Sequence, residues 1–352
     1  MITVLRDKIL SGKALDRTEA CAITEINGTD IFDLFSAAGR IREKFRGDSV
    51  DLCAIINAKS GACPEDCSYC AQSSKSRADI AVYPLVGKDP VLEKAAEAKK
   101  AGVRRFCIVT SGRKVNRNEL LEIAGMIKEV RRLGLLPCAT LGLLNRDELS
   151  FLRDHGLERY HHNLETSERF FPGICRTHTY RDKLETIGAA RSAGLSLCSG
   201  GIFGLGETWE DRVDMAFALR ELDVDSAPVN FLIPVKGTTL GSRGFLHPLE
   251  ALKIVSLYRF MLPQKQIRVC GGRIQVLGEF NALVLMAGAD SLLTGNYLTT
   301  TGRTFEDDLK LIRGYGLENT RSTQGTVPIY GRSRRIGTVP GARRTKRSGV
   351  AE

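Results

Sequence analysis

The feature that most constrains the fold is a repeated alternation of short apolar runs and amphipathic segments, which begins near residue 50. Segments between the runs, such as 89–102 and 145–156, show helical periodicity, and several begin with Asp, Asn or Thr and end at Gly. Parallel strands that alternate with helices in eight units predict an α/β fold, a closed (β/α)8 TIM-type barrel. The eight predicted strands are 53–57, 105–111, 137–142, 159–164, 195–203, 227–234, 266–272 and 291–295.

An open, doubly wound parallel sheet is the second interpretation of this order. No GxGxxG motif follows the first strand, which weakens a dinucleotide-binding fold of that kind. Residues 1–48 have helical periodicity instead, with Ile31, Leu34 and Phe35 on one face of a predicted helix. The sequence therefore predicts an N-terminal helical segment (1–48), a barrel (49–316) and an irregular tail (317–352).

Charge is distributed unevenly along the chain. The formal net charge is +10, but residues 331–352 alone hold seven basic residues and one acidic residue. This basic tail lacks periodicity and predicts a flexible, solvated terminus; nucleic-acid binding would rest on it alone and is not expected. No apolar run approaches the ~18 residues that cross a bilayer, and no apolar segment of a secretory signal follows Met1. We therefore expect a cytoplasmic protein with no membrane contact.

Ten cysteines need an explanation, because a reducing cytosol disfavours structural disulfides. Cys63, Cys67 and Cys70 lie in GACPEDCSYCAQSS (61–74) with C-x3-C-x2-C spacing, just after the first predicted strand. Barrel enzymes place their chemistry at that end of the strands. Three thiolates can hold a four-iron cluster and leave its fourth iron open to a small molecule.

Two other interpretations of this loop are a zinc site and a ferredoxin-type electron carrier. Both normally need a fourth thiolate or histidine nearby. The next cysteine in the sequence is the distant Cys107. Three cysteines on a tight loop, with Tyr69 directly before the last one, favour a cluster with an open site.

This motif resembles that of the radical S-adenosylmethionine (SAM) superfamily, and the string GACPEDCSYCAQSS is similar to that of the biotin synthase family in particular. The resemblance covers about residues 50–315. It implies a four-iron cluster whose open iron chelates SAM, and reductive cleavage of SAM to methionine and a 5′-deoxyadenosyl radical. It also implies conversion of dethiobiotin to biotin, in which the radical takes hydrogen from two saturated carbons, with one SAM consumed for each.

A second group, Cys107, Cys138 and Cys198, lies in three different predicted strands. Barrel strands direct alternate side chains toward the axis, but the sequence does not show that all three point inward, and buried structural cysteines are the alternative. By resemblance, these positions hold an auxiliary iron–sulfur cluster that supplies the inserted sulfur. Arg268 matches the family arginine that is its fourth ligand.

Cys270 is a departure from the better-known family pattern, which has serine there. It stands two residues after Arg268, and strand residues i and i+2 share a face. A thiolate is a far better iron ligand than a protonated guanidinium. We therefore predict Cys270 as a ligand of a four-iron auxiliary cluster, in place of a two-iron one. Cys21 and Cys53 are interpreted as packing residues, and Cys175 has no assigned role.

Several residues are assigned to SAM binding by resemblance. YHHNLETS (160–167) is similar to the family's YNHNLDTS, which places Asn163 near SAM and substrate and Glu165 on the ribose hydroxyls. Tyr69, the backbone around Ile202, and Lys183, which replaces a family arginine, are assigned to the same cofactor. Glu165 is one methylene longer than the family aspartate, which alters the fine geometry of this pocket.

Asn230 matches the asparagine that hydrogen-bonds the ureido ring of dethiobiotin, and an amide suits a cyclic urea because it offers both a donor and an acceptor. Thr300 and Thr301 match threonines that hold the substrate carboxylate, although helix capping would also explain them. His161 replaces a family asparagine that contacts substrate. His161 and His162 are adjacent strand residues facing opposite sides, so they are not expected to bind one metal ion together.

The resemblance further implies an electron donor, flavodoxin or ferredoxin, and a homodimer. Two alternatives are a sister radical SAM enzyme, such as a hydrogenase-cofactor maturase, and a non-catalytic iron–sulfur electron-transfer module. The maturase alternative would be favoured if Cys107, Cys138 and Cys198 lay apart in space. The electron-transfer module would bind no SAM.

Overall fold

The computed structural model describes residues 1–296 and 302–320. Each apolar run forms a parallel strand, and the last barrel strand pairs with the first, so the sheet closes. The predicted (β/α)8 barrel is therefore confirmed, and the open sheet was the wrong alternative. The strands are β1 (Ser49–Lys59), β2 (Arg105–Thr110), β3 (Leu136–Thr140), β4 (Arg159–His161), β5 (Ser196–Cys198), β6 (Gly201–Phe203), β7 (Ser226–Phe231), β8 (Gln266–Val269), β9 (Ser291–Leu293) and β10 (Glu318–Asn319).

Two details differ from the predicted strands. The fifth run, 195–203, is interrupted, and its halves β5 and β6 both pair with β7. The break falls at Gly200, where a Cβ would lie 2.0 Å from the Pro228 carbonyl oxygen, so only glycine allows this approach. Residues 318–319, predicted to be irregular, form β10 beside the start of β1.

The helices begin where the sequence supplies caps. Asp16, Asn116, Asn145, Thr179 and Thr208 each accept a hydrogen bond from the third residue of the following helix, in a complete capping box. The helices are α1 (Ile2–Leu10), α2 (Arg17–Thr24), α3 (Asp30–Arg46), α4 (Lys88–Lys100), α5 (Arg117–Arg132), α6 (Arg146–Asp154), α7 (Tyr180–Ser192), α8 (Trp209–Glu221), α9 (Pro248–Met261), α10 (Arg273–Leu277) and α11 (Phe305–Gly314).

The N-terminal helices α1–α3 cover the outside of the barrel. Helix α3 packs against α9 and against α1, and α2 packs against α8 and α9. All residues from Ala251 to Met261 of α9 are buried, because the barrel lies on one side and the N-terminal helices lie on the other. Among the described residues, no helix is both long enough and apolar enough to cross a membrane.

Candidate functional site

The barrel encloses a cavity of about 420 Å³ that reaches from the middle of the strands to their carboxyl ends. This volume is in the range of small-molecule sites, which are commonly ~300–1,000 Å³. Most residues predicted for the site line this cavity: Cys63, Tyr69, Cys70, Cys107, Cys138, His161, Asn163, Glu165, Ile202, Asn230, Arg268 and Cys270.

The three-cysteine loop lies at the mouth of the cavity. The Cys63 amide donates to the Gln72 carbonyl at 3.1 Å, and the Cys70 amide donates to the Cys67 carbonyl at 3.0 Å, so the backbone curls the loop on itself. Cys63 and Cys70 line the cavity. Cys67 lies behind them, with its Sγ 3.8 Å from the Sγ of Cys175.

The loop thiols are held in their neutral form in the absence of a cation. Burial raises the pKa of Cys63, and it raises the pKa of Cys70 to about 11. Thiols bind iron as thiolates, so a cluster must displace their protons and compensate the buried negative charge. A cationic iron cluster meets this need, and the donor set of three cysteines fits it.

Cys107 and Cys138 are neighbours across β2 and β3. They are paired in register, and their side chains pack together with Val109. Cys198 on β5 is the partner in register of His161 on β4, and the nearby His161 helps to lower the pKa of Cys198. Alternate residues of the strands face inward, and this places all three thiols on the interior wall of the barrel.

The guanidinium of Arg268 is already occupied by protein partners. Its Nε donates to Ser291 Oγ at 2.9 Å and its Nη2 to Gln266 Oε1 at 2.7 Å, and Asp51 lies 3.6 Å away. The remaining Nη1 lies 3.8 Å from Cys198 Sγ. Burial lowers the pKa of Arg268, but the surrounding Cys53, Cys198 and Asp51 raise it more, so the group stays protonated.

Cys270 lies on the same interior face and packs against Cys53 and Leu293. Burial raises the pKa of Cys270, as it does for the loop thiols. Ile55 contacts both this group and the Cys107–Cys138 pair, so the two groups are neighbours on the barrel wall.

Cys53 was interpreted from the sequence as a packing residue, and the structure adds that it lines the cavity. Asp51, Cys53 and Ile55 alternate along β1, and Asp51 bonds to the inward-facing Gln266. The period-two pattern of this strand is the sequence signal that would have identified Cys53 as an interior thiol.

Arg105 and Arg159 are two further interior residues that sequence reasoning missed. They stand two positions before Cys107 and His161 on their strands and are buried. Arg105 Nη2 binds Glu158 at 3.0 Å, whereas its Nε and Nη1 have no hydrogen-bond partner. Buried donors without partners near Cys138 fit the negative charge that the thiolate ligands of an iron–sulfur cluster would carry in the barrel.

The residues assigned to SAM lie together where β4, β6 and β7 end. Asn163 Nδ2 donates to Glu165 Oε2 at 3.2 Å, and Asn163 Oδ1 accepts from the Gly200 amide at 3.2 Å. Glu165 has a positive φ of 74°, an unfavourable backbone conformation for this residue type. Its carbonyl accepts from the amide of Ile202 at 2.9 Å, which holds the two segments together.

The side-chain amide of Asn230 forms hydrogen bonds to the backbone. Its Nδ2 donates to the Gly201 carbonyl at 3.1 Å and its Oδ1 accepts from the Gly271 amide at 3.0 Å. One N–H and one lone pair remain for a ligand.

Five residues predicted for the site are not found in the cavity lining: Cys67 and Cys198, described above, and Lys183, Thr300 and Thr301. Lys183 on α7 lies behind the loop, and its ammonium lies 5.7 Å from the centre of the Phe171 ring. The hydrogen bond with Cys175 and burial raise the pKa of Cys67, and the nearby charge of Lys183 only partly opposes this. Thr300 and Thr301 lie outside the described residues.

Comparisons with known proteins agree with this geometry. A family model for the radical SAM superfamily matches residues 58–219, the part that contains both groups of three cysteines. A model for the biotin and thiamin synthesis associated domain matches residues 228–318, which include Arg268 and Cys270.

Curated relatives are similar over almost their whole length. A biotin synthase of Thermodesulfovibrio yellowstonii is 54% identical over 296 residues, which cover 84% of this chain and 93% of that protein. A biotin synthase of Geobacter metallireducens is 47% identical over 314 residues, covering 89% and 95%.

Solved structures share the fold at low sequence identity. Methylornithine synthase superposes with a TM-score of 0.79 at 22% identity, covering 90% of this chain and 98% of that one. A maturase of the FeFe-hydrogenase gives 0.77 at 15% identity, covering 90% of this chain and 75% of that one. At these identities the similarity shows a common barrel and does not favour the maturase alternative.

Proposed function

The chain belongs to the biotin synthase family of radical SAM enzymes, and from that premise we propose that it converts dethiobiotin to biotin. The observation that carries the proposal is the presence of two sets of cysteines. One set of three lies on the loop at the cavity mouth, and the second set lies on the barrel wall beneath it. When bound, a four-iron cluster supplies the electron that cleaves SAM, and an auxiliary iron–sulfur cluster supplies the sulfur.

Cys63, Cys67 and Cys70 are proposed to hold the four-iron cluster. Glu165 then receives the ribose hydroxyls of SAM, since its carboxylate has lone pairs beyond the bond from Asn163. The Ile202 backbone would carry the adenine, and Tyr69, which lines the cavity beside Cys70, would shield the bound cofactor from water. Lys183 is proposed to act on the cofactor through the loop, because it lies behind Cys67.

The auxiliary cluster is proposed to lie among Cys107, Cys138 and Cys198. Cys270 is favoured over Arg268 as the fourth ligand. The guanidinium of Arg268 is committed to Ser291 and Gln266 and, being protonated, has no lone pair to donate. It supplies positive charge beside Cys198 instead.

Substrate binding is proposed to use the remaining donor and acceptor of Asn230 for the ureido ring of dethiobiotin. His161 lines the cavity beside its register partner Cys198 and is proposed to contact the substrate. Thr300 and Thr301 are proposed to hold the substrate carboxylate, and Asn163 contacts both substrate and SAM.

The test is an anaerobic incubation of reconstituted protein with SAM, reductant and dethiobiotin, in which biotin and 5′-deoxyadenosine are assayed together. We expect about two molecules of 5′-deoxyadenosine per biotin, one for each hydrogen removed. Cys198→Ala should abolish biotin formation while SAM binding persists, and Cys21→Ala on α2 is the matched control. If Cys198→Ala turned over as fast as wild type, a sister radical SAM enzyme would be favoured. If the wild-type protein bound no SAM, an electron-transfer module would be favoured.

Cys270→Ser tests the fourth ligand separately. We expect the reconstituted variant to hold less auxiliary iron, with an altered spectrum, because the hydroxyl is a poor ligand for iron–sulfur clusters. The loop cluster should be unchanged. Wild-type iron content and an unchanged spectrum would remove Cys270 from the ligand set.

We further propose that flavodoxin or ferredoxin reduces the loop cluster, and that the protein acts in the cytoplasm as a homodimer. All ten cysteines are free thiols, which supports a reducing compartment. The proposed parts of the chain are the helical segment 1–48, the barrel 49–316 and the basic tail 317–352, although Glu318 and Asn319 of that tail pair with β1.

A further inference from the structure

A third group of metal-binding side chains lies behind the three-cysteine loop, outside the cavity. Cys175 follows a short 3-10 turn (Phe171–Gly173), and His178 comes three residues later, just before α7. The segment is held against the loop, because the Ser68 amide donates to the Ile174 carbonyl at 2.9 Å. Both side chains are shielded: Cys175 is 5% exposed and the His178 side chain 8%.

The ligand atoms of Cys67, Cys175 and His178 all lie within 4.8 Å of one another. The two sulfur atoms are 3.8 Å apart. Two thiolates bound to one tetrahedral zinc-like ion at about 2.3 Å stand about 3.8 Å apart. Cys175 Sγ lies 3.2 Å from Nδ1 and 3.8 Å from Nε2 of His178. The distance to Nε2 is close to that between a thiolate and an imidazole on one such ion, so Nε2 is the nitrogen available to the metal.

Two carboxylates complete this arrangement. Glu65 Oε2 contacts Nδ1 of His178, and a carboxylate on the far nitrogen is the usual partner of a metal-binding histidine. Asp66 Oδ1 lies 3.4 Å from Cys175 Sγ and accepts from the Arg176 amide at 2.8 Å, which keeps it in place as a further oxygen donor.

We propose that the cluster-free protein binds one divalent transition-metal ion, Fe²⁺ or Zn²⁺, through Cys67, Cys175 and His178. Asp66 or water is the fourth ligand, and the two thiol protons leave as the ion binds. Because Cys67 is shared, this ion and the four-iron cluster exclude each other. The site therefore holds a single ion beside the loop before the cluster is assembled.

The experiment uses Co²⁺ as the probe and the full-length, metal-free protein under anaerobic conditions. Cobalt bound to thiolates has an intense charge-transfer absorption that reports the number of sulfur ligands. We expect Cys175→Ala and His178→Ala each to lose one equivalent of bound cobalt relative to wild type. Glu65→Gln should weaken binding about 10–100-fold, as for other outer carboxylates of metal-binding histidines.

The controls separate this site from the other thiols. Cys63→Ala, at the cavity mouth, should retain the equivalent of bound cobalt that Cys175→Ala loses. Any cobalt held by the barrel thiols is present in both variants, so it cancels when the two are compared. Cys175→Ser, with circular dichroism, distinguishes loss of a ligand from loss of folding. Reconstitution of the four-iron cluster in wild type should release the cobalt.

Two results would overturn the proposal. One is cobalt binding that Cys63→Ala removes and Cys175→Ala leaves intact. The other is stoichiometric cobalt alongside a complete four-iron cluster. Neither result depends on biotin formation, so a failure of this metal site can be told apart from a failure of the proposed enzyme activity.

Discussion

Cys198 differs from Cys53 and Cys270 in the charge around it. Burial alone would raise its pKa, but His161, Arg268 and Arg159 lower it below the ordinary value of a thiol. Cys53 and Cys270 have raised pKa values because burial dominates there. The pKa of Cys138 is lowered as well, chiefly by its hydrogen bond with Cys107. The barrel wall therefore offers iron two thiols that are readily ionised, Cys138 and Cys198, and others that must release a proton on binding.

Glu165 provides a prediction at this scale. Glu165→Gln keeps the shape and the bond to Asn163 but replaces a charged acceptor, and hydrogen bonds to charged groups contribute roughly 1.5–3 kcal/mol. We expect SAM to bind about tenfold or more weakly, measured by equilibrium binding to the reconstituted protein. The iron content should equal that of wild type, and unchanged SAM affinity would remove Glu165 from the ribose site.

Single residues also show where sequence reasoning stops. The C-x3-C-x2-C spacing identifies the loop cysteines because all three lie within eight residues. Cys67 and Cys175 are 108 positions apart, and no local pattern indicates that a loop after β4 returns to the loop after β1. The interior position of Cys53 could be predicted from the alternation along β1. The hydrogen bonds from Arg268 to Gln266 and Ser291 could not, because they form only in the closed barrel.

At the scale of elements, Asp290 joins a helix of the N-terminal segment to the barrel. Its carboxylate accepts from Arg46 at the end of α3 at 2.7 Å, from Arg259 of α9 at 2.5 Å and from the Ile267 amide of β8 at 2.7 Å. Arg259 is fully buried and also donates to the carbonyl of Gly288 at 2.8 Å. Three elements therefore depend on one buried charge.

Asp290→Asn should destabilise the protein by roughly 3–5 kcal/mol at neutral pH, because it leaves Arg259 charged and buried without a counter-ion. Chemical denaturation measures this loss. Asp223→Asn is the matched control: its partner Lys265 is at the surface, and such pairs contribute about 0–1 kcal/mol. Equal effects of the two substitutions would contradict the role of Asp290.

The same pair predicts a pH dependence. Burial alone would raise the pKa of Asp290, but Arg259 and Arg46 lower it below the ordinary value of about 3.9. The stabilisation is therefore complete above about pH 4 and is lost as the pH falls through the folded-state pKa. The stability difference between wild type and Asp290→Asn should shrink below pH 4, and a difference that grows there would contradict this assignment.

The elements themselves were largely predictable. Eight apolar runs and helix-starting residues such as Asn145 placed the strands and helices, because these signals are local. The division of the fifth run was not predictable, since the approach of Pro228 to Gly200 is a tertiary contact. The short β10 was missed because two residues carry no periodicity.

At the scale of the whole molecule, the N-terminal helices complete the core of the barrel. Helix α9 is buried on all sides only because α2 and α3 cover it, and Lys253 of α9 donates to the Thr24 carbonyl at 2.7 Å and the Ile26 carbonyl at 3.0 Å. An ammonium in that position has few other acceptors. The residues of 1–48 therefore stabilise the barrel that carries the site.

Two phenylalanines of α3 allow this dependence to be measured. Phe35 is fully buried, whereas Phe32, in edge-to-face contact with it at 5.9 Å, is 43% exposed. Phe35→Ala should cost roughly 3–5 kcal/mol in the free energy of unfolding, because it removes a large side chain from a closed core and leaves a cavity. Phe32→Ala should cost no more than about 1.5 kcal/mol, since it loses mainly the aromatic contact. If the barrel folded independently of α3, Phe35→Ala would shift only an early transition and leave the main unfolding midpoint unchanged. For Phe35→Ala we expect a single cooperative transition at a lower denaturant concentration than in wild type. Circular dichroism and the absorbance of the bound clusters should both report this transition.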